Sequence, residues 1–173
     1  MKKEILQNIM FDRRSTRKFT EEKVKEEDIK YILECAMSGP SACFRKPWEF
    51  YIVTNDEVIE KLRHVSRFSN MNASCAIIVC GDLEKALPKE MASFWIQDCS
   101  AAMENLLLAA EGCGLGACWI GVYPQKRVVE RMKDILDITN DKIIPLGMVW
   151  IGYKAEEKKA TCYYDDACVH YIK

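Results

Sequence analysis

The sequence predicts an α/β (α+β) fold: a central mixed sheet of about four to five strands flanked by helices. Three observations predict it. Helical apolar periodicities alternate along the chain with four apolar runs of strand length. No linker, internal repeat or low-complexity stretch interrupts that alternation. With 173 residues, 49% of them apolar, the chain can bury a sizeable core, and residues 1–173 are read as a single domain.

Ile5, Leu6, Ile9 and Met10 recur at helical spacing, so a helix is expected over residues 3 to about 14. It runs into Arg13-Arg14-Ser15-Thr16-Arg17-Lys18-Phe19, which sets three arginines and two hydroxyls within five residues. If the helical turn continues, Arg13 and Arg17 stand i,i+4, Arg14 and Arg17 stand i,i+3, and the guanidiniums converge on one side. A planar five-donor fork suits a phosphate or another dense anion. Cations at a helix C-terminus also simply offset the dipole there, and the segment alone does not choose between the two roles.

A second helix is expected over 26–38, with Ile29, Ile32, Leu33, Ala36 and Met37 on one face, stopped by Gly39-Pro40. Small residues and two prolines make residues 40–47 a fixed loop, where backbone groups can approach a ligand closely. Trp48 to Val53 reads as a strand, and Asp56 to Val65 as a short helix capped by Asn55 or Asp56. Cys75 to Cys80 is a continuous apolar strand closed by Gly81-Asp82.

The longest helix is expected over 92–112, its broad apolar face rich in alanine, central to the fold or shared with a partner subunit. Trp95 and Phe94 on it are read as core, with stacking on a planar substrate as the alternative. Gly112-Cys113-Gly114-Leu115-Gly116-Ala117 formally matches a dinucleotide fingerprint, but a helix precedes it and a strand, 117–122, follows. That is the reverse of the required context, so the glycines are read as a helix cap and tight turn. Pro124 opens a helix to about Leu136, and Ile143 to Tyr153 is the last strand. The charged, aromatic tail from Lys154 has no core of its own and is expected to wrap something.

Several function classes are disfavoured. The 25 Lys+Arg nearly cancel the 26 Asp+Glu, so no global basic field draws nucleic acid. No apolar run is long enough to span a membrane, and the N-terminus reads as an amphipathic helix; a cytoplasmic protein is expected. The 9 cysteines include no C-x-x-C pair and the 2 histidines stand far apart. Reduced thiols are therefore expected, and a thiol-redox or metal protein is the weaker alternative, with no metal site anticipated.

R-R-S-x-R-x-F at 13–19, P-S-A at 40–42, P-W-x-F at 47–50, the alanine-rich helix, G-L-G-x-x-W-I-G at 114–121 and I-G-Y at 151–153 occur in this order. Together they resemble the nitroreductase family of FMN-dependent oxidoreductases, in a compact form. The resemblance implies a homodimer with an extended helical interface and FMN bound between subunits. It implies NADH or NADPH as donor, and a nitroaromatic, quinone or other small planar conjugated acceptor, reduced by a ping-pong mechanism. Carried over residue by residue, it points to Arg13, Arg14, Ser15 and Arg17 for the phosphate and pyrimidine side of the flavin. Pro40, Ser41 and Ala42 match the loop along the flavin, and Trp119, Ile120 and Gly121 the segment approaching the rings. Lys159, or its neighbour Lys158, matches a basic tail residue at the phosphate.

No protein residue is expected to act as catalyst, because flavin carries the hydride chemistry; a cation near its pyrimidine edge favours reduction. Phe44 and Lys46 depart from the Asn or His and the Gln or Glu common before Pro-Trp. That departure keeps a second reading open, a non-catalytic flavin-binding or sensing module on the same scaffold.

Overall fold

Four strands set the frame: β1 (Trp48–Val53), β2 (Cys75–Asp82), β3 (Leu115–Gly121) and β4 (Ile143–Tyr153), in the order β1-β2-β4-β3. The structure, a computed structural model, describes residues Met1–Lys173. The α+β class and the strand number are as expected. Every neighbouring pair of strands is antiparallel, and parallel character is confined to one bridge between Ser15 and Ala117. The cause is the path of the connections. Val53, ending β1, stands opposite Ala76 near the start of β2, so residues 54–74 return the chain to the end it left.

Helices cover both faces. On one lie α2 (Glu26–Met37) and α4 (Phe94–Gly112); on the other α3 (Asp56–Arg63) and α5 (Lys126–Ile135). The period-two alternation of a strand divides the core between them. In β2, Cys75, Ile77 and Val79 face the α4 side while Ala76, Ile78 and Cys80 face the α5 side. That double covering is why β2 is apolar at almost every position. Trp150, fully buried on the α5 side, donates its indole N–H to the Ser69 carbonyl at 2.9 Å and so pins the irregular stretch before β2. Trp95 is buried and meets Tyr123 edge-on, 5.1 Å between rings, as the core reading expects, whereas Phe94 is 38% exposed and lies outside the core. Gly114, at φ +73°, makes the tight turn from α4 into β3. No helix is long and apolar enough to cross a membrane.

The first helix, α1 (Lys2–Asp12), ends earlier than its periodicity predicts, and it buries none of its residues. Arg13 is already extended, at φ −55° and ψ 122°. The helical convergence of Arg13, Arg14 and Arg17 is therefore corrected. Competition for the backbone decides it. The Thr16 N–H donates to the Ala117 carbonyl at 2.9 Å and the Thr20 N–H to the Tyr153 carbonyl at 2.9 Å, so the segment pairs with the sheet rather than continuing the helix.

Two glycines admit it. Gly116 and Gly152 stand opposite one another in the β3–β4 register. A Cβ on Gly116 would come within 2.6 Å of Thr16, and one on Gly152 within 3.0 Å of Phe19. The two bare positions form a furrow into which Thr16 and Phe19 sink, both nearly fully buried. Asn72 closes the far side, its amide donating to the Phe19 carbonyl at 2.6 Å and its carbonyl accepting the Phe19 N–H at 3.0 Å.

Candidate functional site

An extended chain alternates its side chains, so Arg13, Ser15 and Arg17 share one side of the segment and Arg14 the other. Arg14 and Arg17 divide as that rule expects, whereas Arg13 goes to the α4 side. Arg17 reaches a cleft of about 450 Å³, where it joins Cys118, Trp119, Ile120 and Gly121 of β3. The opposite wall comes from the stretch after α3, with Arg67, Phe68, Asn70 and Met71. Arg14 turns away and donates to the carbonyls of Lys159 at 3.2 Å and Thr161 at 3.0 Å, which makes it a clasp on the tail. Arg13 lies 3.7 Å from Glu104 of α4.

The tail contributes a cation. Lys158 donates from Nζ to the Ser15 carbonyl at 2.8 Å, while Lys159 presents its backbone to Arg14. Between the two lysines, the geometry sets the Lys158 ammonium against the arginine segment. Burial pushes the Cys118 thiol up, and the charges of Arg17 and Lys158 pull against that shift, so both cations bear on the middle of β3.

Pro40, Ser41 and Ala42 sit elsewhere. Their loop enters β1 through a turn over Ala42–Phe44, with Cys43, Phe44 and Lys46 at φ of 48°, 57° and 48°. Three non-glycine residues in that region mark a backbone under strain. Hydrogen bonds hold it: the Lys46 N–H to Ser41 Oγ at 3.0 Å, and the Ala42 N–H to Asp98 Oδ1 at 2.7 Å. Asp98 is buried on α4 and makes no ion pair. None of residues 40–42 lines the Arg17 cleft. Glu104, beside Arg13, is six residues along α4 from Asp98, beside Ala42. That spacing separates the two by about 9 Å along the axis and about 120° around it. Within one chain, these two groups of predicted residues stay apart.

Asp98, Thr16, Gly116 and Asn72 escaped the sequence reading. Asp98 had a signal, a carboxylate inside the apolar face of Trp95, Cys99 and Ala102. Thr16 and Gly116 stand inside motifs already singled out, but their contact had no signal, because it depends on the register of two distant segments.

The residues fit a flavin phosphate. A cleft of this size, half apolar, with Arg17 on one wall and Arg67 on the facing one, has the character of a cofactor site. Trp119 leans over Gly147, where a Cβ would come within 2.5 Å of the indole nitrogen and 3.1 Å of Met103, so its ring lies on the α4 side of β3.

The fold, an antiparallel α+β sandwich with an arginine segment laid into its sheet edge, defines a class that comparison makes definite. The Nitroreductase family model matches residues 10–70 and 64–153. This chain belongs to the nitroreductase family. It is 42% identical over 165 residues to a Methanothermobacter thermautotrophicus protein provisionally named NADH dehydrogenase/NAD(P)H nitroreductase, covering 93% of this chain and 83% of that one. A similarly named Archaeoglobus fulgidus protein is 40% identical over 152 residues, 87% of this chain and 86% of that one. Among solved structures, the Clostridium difficile R20291 FMN-dependent nitroreductase superposes with TM-score 0.83 at 30% identity, over 96% of this chain and 98% of that one.

Proposed function

We propose that this chain is an FMN-dependent oxidoreductase that moves hydride from NAD(P)H to a nitroaromatic, quinone or other conjugated acceptor, the two visiting one site in turn. The observation that carries this is the extended 13–17 segment, which delivers Arg17 to the β3 cleft and Arg14, with Lys158, to a second cleft of about 570 Å³. When bound, FMN supplies the hydride chemistry. The chain supplies position and charge. Arg17 offers charge-assisted donors to a phosphate and to the pyrimidine edge, with Arg13 on the α4 side beside Glu104. Trp119, Ile120 and Gly121 form a wall for a planar ring, and the open space at Gly121 leaves approach free. No acid or nucleophile is needed at the reacting atoms.

The site is completed by a second copy, on the same reading. The 40–42 loop and the arginine segment occupy different sides of α4, and a partner's loop reaches a cleft that its own chain cannot serve. Two surfaces support a homodimer. Ile5, Leu6 and Met10 of α1 are about half exposed, beside an apolar groove lined by Leu6, Ile9, Tyr31 and Leu108. The tail exposes Tyr163, Tyr171 and Ile172, which suits wrapping a partner rather than solvent. Residues 1–173 act as one FMN-binding domain. A cytoplasmic setting is supported by nine unpaired cysteines, with Cys43, Cys162 and Cys168 exposed.

The test is an absorbance spectrum of purified protein, followed by anaerobic titration with each donor. Yellow protein that bleaches with NADH or NADPH and recovers on adding a quinone is the expected result. Colourless protein that takes up no FMN overturns the reading. Arg17→Ala should weaken FMN binding at least tenfold, the scale of one charged hydrogen bond, with thermal stability unchanged. Leu6→Glu should give monomers by light scattering, and those monomers should lose flavin.

A further inference from the structure

Beyond Gly121 the cleft continues into a second one of about 420 Å³, and the two share Arg67, Phe68, Gly121 and Gln125. Arg127 and Arg131 of α5 complete the second cleft, and no carboxylate lines it. These arginines have no partner in the chain. Only Arg13 and Arg63 make ion pairs among the arginines, Arg63 with Glu60 at 2.7 Å. Glu130 and Asp134, the acids of the same helix, lie outside the lining. Arg67 rests its guanidinium over the Phe68 ring at 4.5 Å, which holds it on the shared wall.

The helix itself gains little from this placement, and all three arginines are exposed. Arg127 and Arg131 are a like-charged i,i+4 pair. Lys126 and Arg127 also put cations in the first turn of α5, at the positive end of the helix, where α2 carries Glu26, Glu27 and Asp28 and α3 carries Asp56 and Glu57. No side chain caps the N-terminus of α5. Three convergent guanidiniums and a helix N-terminus in one concave wall make an anion site, and a phosphate is the anion their forks match.

Position selects the phosphate. On the proposed reading, a nicotinamide must lie near Trp119, Ile120 and Gly121, and the wall that joins both clefts offers the rest of the donor a path. Arg127 and Arg131 stand about 3 and 9 Å beyond Gln125 along α5, on that path. We propose that Arg67, Arg127 and Arg131 receive the 2′-phosphate of the donor, so that the chain selects NADPH over NADH. This rests on the oxidoreductase reading above, and its test has an arm that does not.

Calorimetric titration of the flavin-loaded protein with adenosine 2′,5′-bisphosphate and with AMP reads the cleft directly. Wild-type protein should bind the bisphosphate at least tenfold more tightly, with the preference shrinking as salt rises, and Arg127→Gln/Arg131→Gln should lose it. The ratio of kcat/KM for NADPH over NADH should fall at least tenfold in the same variant, with a Lys pair restoring part of it. Equal binding of bisphosphate and AMP by the wild type overturns the assignment. So does an unchanged donor ratio in a variant whose melting curve matches the wild type. Selective bisphosphate binding by a protein that oxidises neither donor would uphold the cleft and overturn the oxidoreductase reading instead.

Discussion

The two edges of the sheet are treated in opposite ways. At β3 the edge is covered by residues 15–19, which sink into the Gly116–Gly152 furrow and bridge both β3 and the residue after β4. At β1 the edge is bare of any fifth strand, and Phe50, Tyr51, Ile52 and Val53 border a shallow groove with Val58 and Ile135. An unpaired edge exposes backbone donors and acceptors, so it is normally covered or blunted. The covered edge carries cations and a cofactor-sized cleft, whereas the bare edge carries apolar side chains. The difference teaches that one edge is finished by the chain's own N-terminal segment, and the other is left as an apolar border.

The largest expected effect comes from filling the furrow. Gly116→Val drives a branched side chain into Thr16, which is already within 2.6 Å of where a Cβ would stand. The arginine segment should leave the sheet, flavin retention should vanish, and denaturant unfolding should show a loss of about 1–3 kcal/mol, the usual cost of overpacking. Retained flavin in this variant would break the comparison.

At the other edge, the loop entering β1 depends on one buried carboxylate. Asp98→Ala removes the acceptor of the Ala42 N–H and should cost about 1–3 kcal/mol in the same assay. Loss of flavin together with that stability would tie the 40–42 loop to the site.

Between the edges the sheet centre offers a pH test. Burial pushes the thiols of Cys75 and Cys99 up to about 12, from an ordinary value of 9.0, and that of Cys80 in the same direction. The unfolded chain therefore releases these protons first. Stability should be intact below pH 9 and fall as pH rises from 9 towards 12, by of order 1 kcal/mol per pH unit for each thiol. Chemical denaturation at pH 8 and pH 10.5 measures it.

The smallest effect belongs to the bare edge. Ile52→Thr on an isolated chain should change stability by about 0.5 kcal/mol or less, since Ile52 is 41% exposed. A larger loss that grows with protein concentration would show that a second copy lies on β1.

Where local pattern decides structure, the sequence was readable. β1 and α2 fall where their periodicities and stop signals put them, and Asn55 caps α3 by accepting the N–H groups of Glu57 and Val58. The end of α1 was misread because nothing local stops the helix at Asp12; sheet pairing with Ala117, far along the chain, does. Pro124 was likewise expected to open its helix, which starts two residues later, at Lys126 after Gln125. For the candidate site, ordered motifs brought Arg17 and residues 119–121 to one cleft, yet they said nothing of Arg67, Arg127 and Arg131. Those three converge only because α5 packs beside the stretch after α3, a tertiary fact without a short-range signature.

The helix α1 lies outside the core of its own chain, with no residue buried. If its apolar stripe is satisfied only by a neighbour, then resistance to heat becomes a property of the solution rather than of the molecule. Melting temperature should climb with each tenfold increase in concentration, and strong dilution should release the first twelve residues to proteases before anything else fails.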